Sequence, residues 1–193
     1  MATPIKVLDL PFKKIAIFAA ATIGALVIFA IVVGAIFFAI SFRTYENKTE
    51  GFSIKYPGDW KVVERNQPGA IVGFVSPKEG PLDTFLENIA ITKTDLSKRP
   101  MTMKEYTDLT IKQMTAIFNN IKVVESADLL LSRHLAHKFV FFAAGDRPST
   151  IVVYGFIDHE TAYNITYVGN AKRYAQKDKP LIDFMMNTLK VMF

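Results

Sequence analysis

The sequence predicts an α+β protein, a central antiparallel sheet sandwiched between helices, with one transmembrane helix in front of it. Residues 15–42 run 28 positions without a charged side chain. Beyond residue 50, apolar stretches that alternate or run continuously are separated by Gly, Pro, Asn and Asp turns, the pattern of strands. Two segments carry apolar residues at helical spacing instead, one in mid-chain and one at the C-terminal end.

The chain divides into an N-terminal cytoplasmic-side segment (1–14), the transmembrane helix (15–42), a short linker (43–50) and one domain (51–193). At about 1.5 Å per residue the apolar stretch would be about 42 Å long, more than the ~30 Å hydrocarbon core requires. A cleaved signal peptide is the alternative, with Lys13 and Lys14 as its charged region and Ala39 and Ser41 at its end, but its apolar core would be only about 7–15 residues. Lys6, Lys13 and Lys14 before the stretch balance Arg43, Lys48 and Lys55 after it. The Lys pair at the helix start and the amino terminus favour an N-inside orientation, which places the domain outside the cytoplasm. Ala16, Ala20 and Gly24, then Ala30 and Gly34, repeat small residues at spacing four, a surface that admits a partner helix. The eight-residue linker reaches less than roughly 30 Å, so the domain sits at the membrane.

Of the 193 residues, about 150 belong to the domain, enough for one real core. The chain has no cysteine, which excludes disulfides, thiolate metal sites, cysteine-held iron–sulfur clusters and a lipidated cysteine anchor. From Arg43 onward there are 20 Lys and Arg against 17 Asp and Glu, too mild a balance to indicate nucleic acid.

The domain opens with Phe52, Ile54 and Tyr56 alternating with Ser53 and Lys55, a strand with one buried face that Pro57 stops. Gly58 and Asp59 turn the chain, and a second strand starts with Trp60, the only tryptophan. A loop at 66–69 containing Pro68 leads to further strands expected at 71–75 and 85–92, which flank a loop at 76–83, and a loop at 94–100 follows. Thr102 and Glu105 form a capping box that starts a helix whose stripe is Met103, Tyr106, Leu109, Met114, Ile117 and Phe118. Asn119 and Asn120 end it. Strands follow at 121–125, 129–133, 134–143, 150–158 and 162–168, an antiparallel meander. Residues 151–157 are apolar at nearly every position and call for cover on both faces. Residues 171–178 lead into a last helix with Pro180 in its first turn and a stripe of Leu181, Ile182, Met185, Leu189 and Met192.

Tyr45, the run GFSIKYP at 51–57 followed by Trp60, Phe74 with Ser76 and Pro77, Met103 with Tyr106, Ala136, the run AYNITY at 162–167, and Tyr174 with Leu181, Ile182, Phe184 and Met185 together resemble the PsbP family over residues 45–193. The resemblance implies a PsbP-like α/β/α sandwich. It also implies an extrinsic subunit or assembly helper of photosystem II, supporting the calcium- and manganese-dependent oxygen-evolving complex. The chain departs from that pattern in having a membrane helix instead of a cleaved signal or lipidated cysteine, and no His or Glu matches the metal ligands of the plant proteins.

Residue chemistry adds little. Asp158, His159 and Glu160 gather metal-ligating side chains at a hairpin tip, where calcium, manganese or zinc would find partial coordination. His134 and His137 lie three apart in a strand and point to opposite faces. Ser53, Ser132 and Ser149 lack a nucleophile context. Lys98, Arg99, Lys172 and Arg173 read as solvated surface, with lipid headgroups or an acidic partner as a second reading. The function expected is a non-catalytic, membrane-anchored accessory subunit that contacts the lipid bilayer and docks on a larger membrane complex. The alternative is a tethered small-ligand or metal-binding module with a pocket lined by Tyr106, Tyr154 and Tyr163.

Overall fold

The computed structural model describes residues 23–24, 26–32, 34, 41–64, 69–81, 83–118 and 120–191. The chain forms two units, Met1–Phe42 and Arg43–Phe193. In the first, residues 23–24, 26–32 and 34 are helical and exposed, Gly24, Ala30 and Gly34 among them. Among the described residues no helix is long and apolar enough to cross a membrane. The remainder of the expected transmembrane stretch, with Ala16 and Ala20, lies outside the described residues, as do Pro68, Asn119 and Met192.

The second unit runs β1 (Phe42–Asn47), β2 (Phe52–Pro57), β3 (Lys61–Glu64), β4 (Ala70–Val75), β5 (Asn88–Asp95), α1 (Met103–Ile117), β6 (Ile121–Leu131), β7 (His134–Ala143), β8 (Ser149–Asp158), β9 (Thr161–Asn170), α2 (Ala171–Arg173), a π-helical turn (Tyr174–Asp178), α3 (Lys179–Thr188) and β10 (Lys190–Val191). A seven-stranded antiparallel sheet has the order β3-β4-β5-β9-β8-β7-β6, and β1, β2 and β10 form a second, three-stranded sheet. The mixed α/β architecture with antiparallel sheets is the one expected from the sequence. β2 alternates as expected, with Phe52, Ile54 and Tyr56 buried, but it pairs with β10 and so belongs to the small sheet.

The large sheet has two unlike faces. One packs Val72, Phe74, Ile89, Ile91, Val152, Phe156 and Ile165 against Phe52 and Ile54 of β2 and Ile182 and Met185 of α3. The other sets Phe139, Phe141, Ile151 and Val153 under Ile111 and Met114 of α1. β8 lies between these layers and is buried from Thr150 to Phe156, which is why its sequence is apolar at successive positions.

Several expectations change. The supposed linker is β1, where Tyr45 packs edge-on against Phe74 at 5.7 Å, so Phe42 begins a strand and does not end a helix. β5 starts at Asn88, not 85: residues 85–87 are irregular, with Asp83 Oδ1 accepting from the Phe85 N–H and the Glu87 carbonyl accepting from the Ser76 N–H. The two strands expected at 121–125 and 129–133 are one strand, β6. Its polar stretch, Glu125 to Asp128, stays paired to β7 across a register shift after Val123, since an edge strand needs no apolar cover on its open side. On α1, Tyr106 is buried while Ile117 is 70% exposed, so the stripe outruns its cover.

The capping box forms as expected: Thr102 Oγ1 accepts from the Glu105 N–H at 3.2 Å and Glu105 Oε2 accepts from the Thr102 N–H at 2.8 Å. Thr102→Ala should cost about 1 kcal/mol, read as a lower urea midpoint with an unchanged m value.

Candidate functional site

The strongest electrostatic feature of the domain lies where β9 leaves the sheet. Asn170 stops the strand and its Oδ1 accepts from the Lys172 and Arg173 N–H groups, which turns the chain into α2. Arg173 is thereby directed inward, its side chain only 13% exposed, correcting its reading as solvated surface. Its Nη1 lies 2.9 Å from Glu87 Oε2 and 3.0 Å from Glu79 Oε1, and its Nε donates to Asp178 Oδ2 at 3.0 Å. Glu87 and Asp178 are buried, and buried carboxylates persist only when paired and hydrogen-bonded. Ser76 Oγ supplies Glu87 with a further donor at 3.1 Å, and the Tyr167 hydroxyl supplies Asp178 with one at 2.7 Å.

The π-helical turn makes this grip possible. Its i to i+5 bonding brings residues five apart to the same side, so Arg173 and Asp178 meet, whereas in an α-helix they would diverge. Burial lowers the Arg173 pKa, but the hydrogen bond and charge of Asp178, with Glu87 and Glu79, outweigh it and the net shift is upward. The hydrogen bond from Lys177 and the charge of Arg173 hold Glu79 below the usual carboxylate range despite some burial. Burial, reinforced by Asp178, pushes the Tyr167 hydroxyl far above the ordinary phenol range. A cleft of about 410 Å3 opens beside the cluster, lined by Glu79, Asp83, Glu87, Lys172, Arg173 and Lys177. The guanidinium is already met by three carboxylates, so the cluster acts as a clamp.

Asp158, His159 and Glu160 do occupy the tip between β8 and β9, with His159 at φ +52°. They do not converge. Asp158 turns inward, with Oδ1 at 3.1 Å from His159 Nδ1 and 3.6 Å from His134 Nε2, while the His159 side chain is 87% exposed. The Glu160 side chain is exposed and its carbonyl accepts from the Leu96 N–H. Among the described residues no three His, Asp or Glu side chains group to hold a metal, so this donor set does not fit calcium or manganese. His134 and His137 face opposite sides of β7: His134 packs on Phe156, and His137 bonds Asp128 and Ser126. Ser132 Oγ accepts from the Val191 N–H and anchors β10.

The three tyrosines expected to share a pocket are separated by the sheet. Tyr163 stacks on Phe156, and Tyr154 donates to Asp183 of α3, both on the face covered by α3. Tyr106 lies on the α1 face, against Gly155 and Asn164.

The other conspicuous surface is the β6 edge. Among the described residues β6 pairs only with β7, and over 11 residues it exposes Val123, Val124 and Leu130. Leu135, opposite Leu130 in register, is exposed as well. The sheet's other edge, β3, is four residues long. Sequence reasoning missed both this edge and the Arg173 clamp. Glu87 within the run FLENIAI and Asn170 as a cap residue were the available signals.

These features define a small α+β domain built on an antiparallel sheet with helices on both faces. Its fold is PsbP-like. No protein-family model matches the sequence, and no curated protein matches it. Solved structures do match in fold. The cyanobacterial PsbP (CyanoP) of Synechocystis aligns at a TM-score of 0.59 with 15% identity, covering 78% of this chain and 92% of that one. LpqN of Mycobacterium tuberculosis, involved in cell envelope biogenesis, aligns at 0.58 with 7% identity, covering 74% and 83%. A Pseudomonas aeruginosa protein of unknown function aligns at 0.53 with 13% identity, covering 76% and 94%.

A methyl group at Gly169 would sit 1.7 Å from the Tyr167 hydroxyl. Gly169→Ala should therefore displace Tyr167 from Asp178 and destabilise the domain by more than about 2 kcal/mol in urea titration. Because the folded state raises the Tyr167 pKa, its contribution is fully present below the unfolded value of about 10 and falls as pH rises above it. Tyr167→Phe should thus lessen the alkaline loss of stability by about 1 kcal/mol between about pH 10 and 11, measured by denaturant unfolding across that range.

Proposed function

We propose that this protein is a non-catalytic accessory subunit, anchored by one transmembrane helix, whose PsbP-like domain lies outside the cytoplasm and docks on a larger membrane protein complex. The observation that carries this reading is the open β6 edge, an 11-residue strand with a bare backbone side and exposed Val123, Val124 and Leu130. Soluble domains ordinarily blunt such an edge, and an extended segment of a partner can pair with it through main-chain hydrogen bonds. The apolar stretch 15–42 supports the anchor, and tethering raises the effective concentration of the domain at the complex. The Lys13 and Lys14 pair at the start of that stretch supports N-inside orientation. A photosystem II-type complex is the host suggested by likeness to PsbP, and a cell-envelope assembly the host suggested by likeness to LpqN.

Size separation of native membranes in mild detergent should place the full-length chain with a large complex. Val124→Lys combined with Leu130→Lys should reduce that association at least about tenfold, as should deletion of residues 15–42. Migration of the unaltered protein alone would overturn the reading.

A further inference from the structure

We infer that the end of the domain holding the C-terminus of α1, the start of β6 and the β7–β8 hairpin rests on the surface of an anionic lipid bilayer, a contact that rests on the membrane anchor proposed above. The place where the chain enters the domain points to this occupant. Glu50, in the turn between β1 and β2, pairs with Lys93, which lies opposite Tyr163 in register and near the β8–β9 tip. β1 runs toward that turn and therefore starts at the other end of the sheet. Tyr45 packs on Phe74, next to last in β4, and Phe42 lies three residues before Tyr45. Phe74 and Ile89 are partners in register, as are Ile89 and Tyr167, so this is the end at which β9 finishes and β6 begins. β1 begins inside the apolar stretch 15–42, which leaves no linker, so an anchored chain brings this end to the bilayer.

The same end carries apolar side chains that the core does not use. α1 outruns its cover and leaves Ile117 and Phe118 exposed, and Val123 of β6, opposite buried Phe141 in register, is exposed as well. The Asn120 carbonyl accepts from the Ala144 N–H and the Pro148 carbonyl from the Ala171 N–H, each at 3.0 Å. The α1–β6 junction, the β7–β8 hairpin and the start of α2 are thereby joined into one rim. Over 117–124, 144–148 and 170–172 the described residues expose three cations, Lys122, Arg147 and Lys172, against one acid, Asp146. Apolar groups set among Lys and Arg suit a headgroup layer, where the hydrocarbon leaves water while the cations stay beside phosphate. A second copy meeting this rim through a two-fold axis would set cations against cations, which an anionic surface does not. Seated this way the strands rise from the bilayer, and the open β6 edge stands where a neighbour in the same membrane can pair with it.

The chain has no cysteine, so single nitroxide labels can be introduced through Ile117→Cys, Val123→Cys, Leu135→Cys or Ile28→Cys in the full-length protein. Each labelled chain is placed in nanodiscs of phosphatidylcholine with phosphatidylglycerol, and electron paramagnetic resonance reads collisions of the label with a water-soluble nickel chelate. Leu135 is also apolar and exposed but lies beside the β6–β7 turn at the far end of the sheet, so it reports a label left in water. Labels at 117 and 123 should be at least about threefold less accessible to nickel than the label at 135. Lys122→Glu combined with Arg147→Glu should remove most of that difference, as should discs of phosphatidylcholine alone. A protected label at 28 with 117 and 123 as accessible as 135 overturns the bilayer contact and leaves the anchor standing, whereas a label at 28 in water overturns both. Spin–spin broadening at 117 or 123 overturns the contact in favour of a second copy. Protection that persists unchanged in the charge variants and in phosphatidylcholine alone overturns the anionic surface as the partner.

Discussion

The domain depends on one buried cation. Arg173 ties together three pieces of chain far apart in sequence: Glu79 and Glu87 of the segment between β4 and β5, the end of β9, and Asp178 at the foot of α3. Removing a partner from a buried charge pair costs more than the pair contributes, because the surviving charge is left without water or counter-ion. Glu87 and Asp178 are buried, and among the described residues Arg173 is the one cation at ion-pair distance from either, so losing the guanidinium would leave both carboxyls without their charged partner. The constraint propagates along the chain. Asp178 inside requires the π-helical turn, and that turn sets the direction in which α3 crosses the sheet and lays Ile182, Met185 and Met186 on the core.

That arrangement makes the two faces of the sheet unequal. The α3 face is closed by a helix and a small sheet together, and its interior is mainly aromatic and aliphatic, with Tyr45, Tyr56 and Phe74 in ring contact. The α1 face has a single helix, which covers β7 and β8 but leaves a polar strip on β5 and β9. Most of the buried apolar side chains lie on the first face, and the second, with the β6 edge at its margin, is the less completely covered.

Much of this was legible from local pattern. The alternation of Phe52, Ile54 and Tyr56 gave β2 and its buried side, Thr102 with Glu105 gave the start of α1, and the continuous apolar run of β8 called for cover on both faces. Each of these signals is carried by residues within a few positions of one another. The errors came where a distant partner overrides local character. Glu125 to Asp128 look like a turn yet stay in β6 because β7 pairs with them. Residues 85–87 look like a strand yet stay outside β5, with the Glu87 carboxylate held by Arg173, 86 positions on. Asp158, His159 and Glu160 are adjacent in sequence but diverge in space, since one is drawn to His134 and another projects into solvent.

The sequence by itself determined the element types, the two-sided burial of β8 and the expectation of an antiparallel sheet between helices, because hydrophobic period and capping chemistry are local properties. Only the tertiary structure decided that β2 leaves the main sheet for β10, that Arg173 is a buried clamp, and that Tyr106 is separated from Tyr154 and Tyr163. Those outcomes depend on which strands become neighbours and on which side of the sheet each helix lies, and neither is encoded in the spacing of residues along one segment.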